Sequence, residues 1–248
     1  MIAFACVAPH GDVEETPELL AAMEELGRRC ERAAVETAVV VTPHNVHVEG
    51  HFAVVTAGHV GEAETDRDLA LAILAALRDD GLPAVGVSYG GNVPAEAQLP
   101  MDWGTEVPLR WLRAPKLVVV APARDLSLEE HVRAGAALAR ATEPSNRLLQ
   151  SRRVALVASA DHGHAHDVDG PYGFDPAAAV YDALVQDLLG RAPLDFTPLG
   201  AVVDAAKADS LWQLLVLQGA VGEQAHAEVL AYAAPTYYGM LVAEVVPS

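Results

Sequence analysis

A chain of 248 residues with 34 Asp and Glu against 16 Lys and Arg carries a formal charge of -18. That balance repels nucleic acid and anionic membranes, and the chain has neither a Lys/Arg cluster nor a Walker-type glycine loop to offset it. Apolar residues make up 52%, ample for a sizeable core, while no run approaches the ~20 apolar residues of a membrane span. No Ser/Gly/Pro-rich linker interrupts it, so one domain over residues 1–248 is expected. Two cysteines, Cys6 and Cys30, make no disulfide framework, and the apolar start lacks the basic residues of a signal peptide. Both features fit a cytoplasmic protein.

Ile2 to Ala8 is the first expected strand, followed by a helix with Thr16 at its cap and Pro17 at its first position. Val35 to Val41 is a near-continuous apolar run, the pattern of a strand buried on both faces of a parallel sheet. Residues 45 to 60 alternate more loosely and read as an antiparallel excursion containing a strand at Phe52–Thr56. Next come a helix from Glu64 to Asp80, a strand from Ala84 to Tyr89 and an irregular loop from Gly90 to Pro100. Met101 to Leu112 opens a short helix with Thr105 as its cap. Lys116–Val120 is a strand, and Ser127–Ala141 a helix whose Ser127 and Glu130 form a capping box. Arg153–Ser159 is a strand, Pro176–Leu189 and Ala205–Val221 are helices, and Glu228–Ala233 and Met240–Val246 close the chain as strands. Strands and helices alternate for most of the length. The expected fold is therefore α/β, a largely parallel or mixed central sheet flanked by helices.

The chemistry gathers at strand ends. Phe4-Ala-Cys-Val-Ala-Pro-His10 and Ala38-Val-Val-Val-Thr-Pro-His44 each hand a histidine to the loop just past a strand, behind a proline that stiffens the backbone. Sites in open α/β sheets form at these carboxyl ends. One such histidine can simply hydrogen-bond to backbone, whereas two in matching positions point to metal ligation. If the strands are neighbours, the rings lie about one strand spacing apart, ~5 Å. The third stretch, Val154 to His166, releases His162, His164 and His166 at alternate positions, on one face if the segment stays extended. These rings could ligate a metal or carry protons at neutral pH, with Asp161 orienting one of them. Tyr172 and Phe174, with Tyr237 and Tyr238, are candidates to line a pocket for a ring. His47, His51, His59, His131 and His226 have no partner pattern and read as surface or loop residues.

In order along the chain, Ala8-Pro-His-Gly11, Thr42-Pro-His44, Asp102-Trp-Gly-Thr-Glu-Val-Pro-Leu109, Ser159-Ala-Asp-His-Gly-His164 and Gly170-Pro-Tyr-Gly-Phe-Asp-Pro176 resemble the class III extradiol dioxygenases. These are ring-cleaving enzymes of the protocatechuate 4,5-dioxygenase catalytic-subunit type, and their superfamily includes the Memo-like proteins. The resemblance implies a non-haem Fe(II) held by two histidines and a carboxylate, acting on a small aromatic substrate with O2. It matches His10 and His44 to the ligand histidines and His164 to the acid/base histidine. For the carboxylate it points to the start of the helix ending in Gly219-Ala220. Ser210 stands there where a glutamate is usual, so Asp209, one residue earlier, is the expected ligand, with Asp204 and Glu106 as alternatives. The family's Asp-His-Gly is Asp102-Trp103-Gly104 here, which makes Trp103 a substrate-facing candidate without acid/base capacity. The same histidines would serve a Memo-like metal-binding protein without oxygenase activity, or a zinc hydrolase in which His10, His44 and His164 activate water. The resemblance also implies a homodimer or a partner subunit.

Overall fold

The computed structural model describes residues 1–90, 92–143 and 152–247; Gly91, in the expected Gly90–Pro100 loop, lies outside them. Four Val- and Ala-rich strands form the parallel centre of an eight-stranded sheet: β1 (Ile2–Ala8), β2 (Thr37–Val41), β8 (Lys116–Ala121) and β9 (Val154–Ser159). Their apolar residues are buried on both faces, as their unbroken hydrophobic runs require. Antiparallel strands flank them. On one side β11 (Met240–Val246) pairs with β1, and β10 (His226–Ala233) with β11. On the other, β3 (Phe52–Val55) runs antiparallel to β8 and parallel to the edge strand β6 (Ala84–Val87). The antiparallel excursion expected after residue 45 is this β3, and the sheet is mixed rather than largely parallel.

Across the sheet the order is β10-β11-β1-β9-β2-β8-β3-β6. The strands carrying His10 and His44 are therefore not neighbours, because β9 lies between them and pairs with both. That insertion brings all three histidine-bearing strand ends side by side.

Helices cover both faces. On one, α2 (Arg67–Asp79), α4 (Leu128–Thr142), α5 (Ala177–Leu189) and α7 (Leu211–Val221) pack against Val39, Val118, Leu156 and Val245. On the other, α1 (Pro17–Arg32) covers Phe4, Cys6, Val40 and Val157. The α2 helix starts later than expected because Ala63–Glu64 (β5) turns back on His59–Val60 (β4), which also pairs with Gln98–Leu99 (β7). Asp66 then caps α2 by accepting the Leu69 N–H at 3.2 Å. The capping box of Ser127 and Glu130 forms on α4.

Three local expectations fail. The short helix α3 (Trp103–Leu109) is capped by Asp102, not Thr105: the carboxylate accepts from the Thr105 N–H at 3.1 Å and its hydroxyl at 2.8 Å, satisfying two donors where threonine offers one acceptor. The helix expected from Ala205 to Val221 is split. A single turn, α6 (Val203–Ala206), ends at Lys207 in the left-handed region (φ 56°), and α7 begins only at Leu211. His131 is fully buried in α4, with Nδ1 donating to the Ser127 carbonyl at 2.7 Å, so it is a core residue rather than a surface one. Among the described residues no helix is long and apolar enough to cross a membrane.

Candidate metal centre

At the carboxyl ends of β1 and β2 the chain leaves the sheet through Pro9 and Pro43. The two histidine rings lean towards each other over the end of β9, with centroids 4.7 Å apart and planes at 86°. Their Nε2 atoms are 3.0 Å apart. Asp209 enters from the break between α6 and α7. Its Oδ2 lies 3.6 Å from His10 Nε2 and 3.8 Å from His44 Nε2. One ligand atom from each of His10, His44 and Asp209 falls within 4.8 Å of the others. The helix break makes this possible, since Lys207 in the αL region turns Asp209 inward before α7 resumes. Of the other positions weighed for the third ligand, Asp204 is exposed, Glu106 is exposed and bonds Arg110, and Ser210 is buried between His162 and Tyr181.

Neighbouring groups orient the rings. The Ser159 hydroxyl donates to the Gly104 carbonyl, so its oxygen meets His10 Nδ1 (3.0 Å) as an acceptor. His10 Nδ1 must therefore carry a hydrogen, which aims Nε2 at the cluster. The His10 backbone N–H donates to Asp161 Oδ1 at 3.2 Å, and Asp161 Oδ2 stands 3.4 Å from His10 Nε2. His44 is seated by its N–H donating to Thr42 Oγ1 (3.2 Å), while the Thr42 hydroxyl donates to Asp102. Gly104 sits so close that a Cβ there would strike Thr42 Oγ1 and His44 Cδ2.

The electrostatics suit a cation. Burial depresses His10, but Asp161 and Asp209 outweigh it and push its pKa up to about 9. Burial, and then the charge on His10, pull His44 down to about 4. Burial pushes Asp209 up, but the hydrogen bond and charge of His10 overcome this and hold it below the usual carboxylate range. Burial raises Asp161. One proton is thus trapped between two histidines and two carboxylates. Asp209 Oδ1 is buried without a hydrogen-bond partner. Two imidazoles and a carboxylate with a spare oxygen make a donor set that fits a divalent transition metal.

The 162–166 histidines do not share a face. His162 is fully buried, its Nδ1 2.9 Å from Ser210 Oγ, and burial lowers its pKa. His166 Nε2 meets Asp182 Oδ2 at 2.7 Å, and Asp182 also accepts from the Gly163 N–H and the Tyr232 hydroxyl. His164 alone points into the site, its Nε2 3.9 Å from Asp209 Oδ2. Its Nδ1 lies 2.6 Å from the His162 carbonyl, which can only accept, so Nδ1 holds a hydrogen and, in the neutral ring, the lone pair belongs to Nε2.

These groups open into a pocket of about 530 Å³, lined also by Asp12, Trp103, Arg110, Arg124, Lys207 and Tyr172. Tyr237 and Tyr238 complete its wall, and the Tyr238 ring stacks on His164 with centroids 5.6 Å apart. The Trp103 ring packs 4.3 Å from His44 and is 58% exposed. Phe174 lies 63% exposed and does not line this pocket; it pairs with His166 through the backbone. The sequence alone assigns no role here to Ser159, Asp182, Arg124 or Lys207. Asp182 is a buried acid in α5, while Asp187 of the same helix is exposed, and the sequence alone does not tell the two apart.

Residues 7–243 match the family described as the catalytic LigB subunit of aromatic ring-opening dioxygenase. No curated protein matches the chain significantly. A crystal structure of an uncharacterized protein from Escherichia coli K12 superposes with a TM-score of 0.69 at 15% identity, covering 98% of this chain and 99% of that one, a likeness of fold. With the family matching nearly end to end, the chain belongs to the aromatic ring-opening dioxygenase family of the catalytic LigB subunit.

Proposed function

We propose that the protein is a non-haem Fe(II)-dependent extradiol-type dioxygenase that opens a catecholic or aminophenolic ring with O2. The observation that carries this reading is the convergence of His10, His44 and Asp209 beside the Nε2 of His164 in one open pocket. Iron held there by His10, His44 and Asp209 would supply a Lewis acid and redox centre.

The rest of the chemistry belongs to the chain. His10 gives up its trapped proton when a cation takes its place, so binding is a competition with protons. His164 Nε2 is oriented to take a proton from a ring hydroxyl and to return it as the ring opens, because its Nδ1–H is committed to the His162 carbonyl. Tyr172, Tyr238 and Trp103 offer aromatic surface on which a ring can pack.

Protein loaded anaerobically with Fe(II) is expected to take up O2 and form a yellow ring-opened product from members of a catechol panel. No uptake across the panel, with iron confirmed at the site, overturns the reading. His164→Ala is expected to lower kcat by about 10²–10⁴-fold while catechol still binds. Trp103, standing against His44 without an acid/base group, favours a second reading in which the same residues hold zinc for binding or hydrolysis. Zinc in the purified protein, and hydrolysis indifferent to anaerobic conditions, would favour that alternative.

A further inference from the structure

Trp103 and His44 belong to two cavities at once. On one side lies the metal pocket; on the other an open groove of about 630 Å³, whose remaining wall includes Val46, Val87, Leu99 and Met101. The two sides differ in chemistry. The metal pocket presents Asp12, Arg110, Arg124, Asp161 and Lys207. The groove is mostly apolar, and its polar side chains nearest the metal pocket are spent on each other. Asn45 donates to Asp102 Oδ2 at 2.7 Å, and Asp102 also accepts from Thr105 and Thr42. At the groove's mouth Tyr89 is 73% exposed, and Trp103 leaves more than half its surface in solvent. Large aromatic side chains left this open along an apolar cavity that shares a wall with a polar reaction pocket mark a place for an apolar ligand group.

We propose that the ring substrate carries an apolar substituent, an alkyl or aryl chain, and that this groove receives it past the edge of Trp103. The assignment rests on the ring-opening reading for its statement about substrate. The hydroxyls would stay on the metal side, where the charged groups are, and the chain would lie against Val46, Val87, Leu99 and Met101. Trp103 then acts as a specificity-determining residue, its indole forming the wall that ring and substituent share.

The test measures dissociation constants by equilibrium dialysis. Catechol and 4-pentylcatechol are compared on Fe(II)-loaded protein under anaerobic conditions, and phenol and 4-pentylphenol on metal-free protein. Each buried methylene is worth about a fourfold gain in affinity, so a pentyl chain in the groove should tighten binding by more than about tenfold in both pairs. Val46→Trp and Met101→Trp fill the groove from different residues, and each should bring the pentyl preference close to one. Two variants guard against one failing to fold, which thermal melting would reveal. A wild-type preference near one, or a preference surviving in a folded variant, overturns the proposal. If no catechol is opened but the phenol pair shows a groove-dependent preference, the dioxygenase reading fails and the groove stands as an apolar-ligand site. If catechol is opened and the pentyl chain gains nothing, the groove assignment alone fails.

Discussion

Ser159 is a small polar residue closing an apolar strand, and it sets the direction of the His10 ring. By donating to the Gly104 carbonyl and accepting from His10 Nδ1, it leaves His10 Nε2 as the atom facing His44 and Asp209. Loss of such a supporting hydrogen bond commonly costs about 10–100-fold in metal affinity. Ser159→Ala is expected to fall in that range. Asp209→Asn, which removes the only carboxylate in the His10–His44–Asp209 cluster, should weaken binding by more. Competition with a chelator of known affinity measures both, and an unchanged affinity in Asp209→Asn would remove Asp209 from the ligand set. The family resemblance puts a glutamate where Ser210 stands and so points to Asp209, one residue earlier, ahead of Asp204 and Glu106. The structure brings it alone of the four to the histidines, because the chain turns at Lys207.

Two packed helices carry much of the face behind the site. In α4 and α7, Gly135 and Gly219 let the backbones touch: a Cβ on Gly135 would meet the Val216 carbonyl, and one on Gly219 the Val132 carbonyl. Gly219→Ala therefore forces helices apart rather than nudging a side chain, and overpacking of this kind costs about 1–3 kcal/mol. Denaturant unfolding should register a loss of that size. Because α7 starts one residue after Ser210, a shift of the helix should also loosen Asp209 and lower metal affinity. At the scale of elements the sequence was informative wherever the signal was local. Apolar runs marked β1, β2, β8 and β9, and Ser127 with Glu130 marked the start of α4. The small sheet of β4, β5 and β7 was not legible, since two-residue strands are too short to show a period.

In the whole molecule, a chain of net charge -18 concentrates two carboxylates around one trapped proton, and this ties folding to pH. The His10 pKa of about 9 lies above the ~6.5 of an unfolded histidine. The folded state of the metal-free protein therefore holds that proton more tightly, and the resulting stabilisation is complete below pH ~6.5 and disappears as pH rises through about 9. Unfolding midpoints of metal-free protein should decline over this interval, and His10→Asn should flatten the decline. An equal slope in the variant would place the proton elsewhere.

By itself the sequence determined the class of fold and the family resemblance and marked candidate histidines at strand ends, because each rests on residues close together in the chain: a strand, a proline, a histidine. It could not determine which strands adjoin. Strand pairing is a long-range choice, and the insertion of β9 between β1 and β2, which gathers His10, His44 and His164, depends on contacts about 150 residues apart, such as Ala5 with Leu156. Spacing alone did not separate His164 from His162 and His166, identical in type and evenly spaced; the family resemblance singled out His164. Only tertiary packing against Ser210 and Asp182 turns two of them away and leaves the third in the pocket.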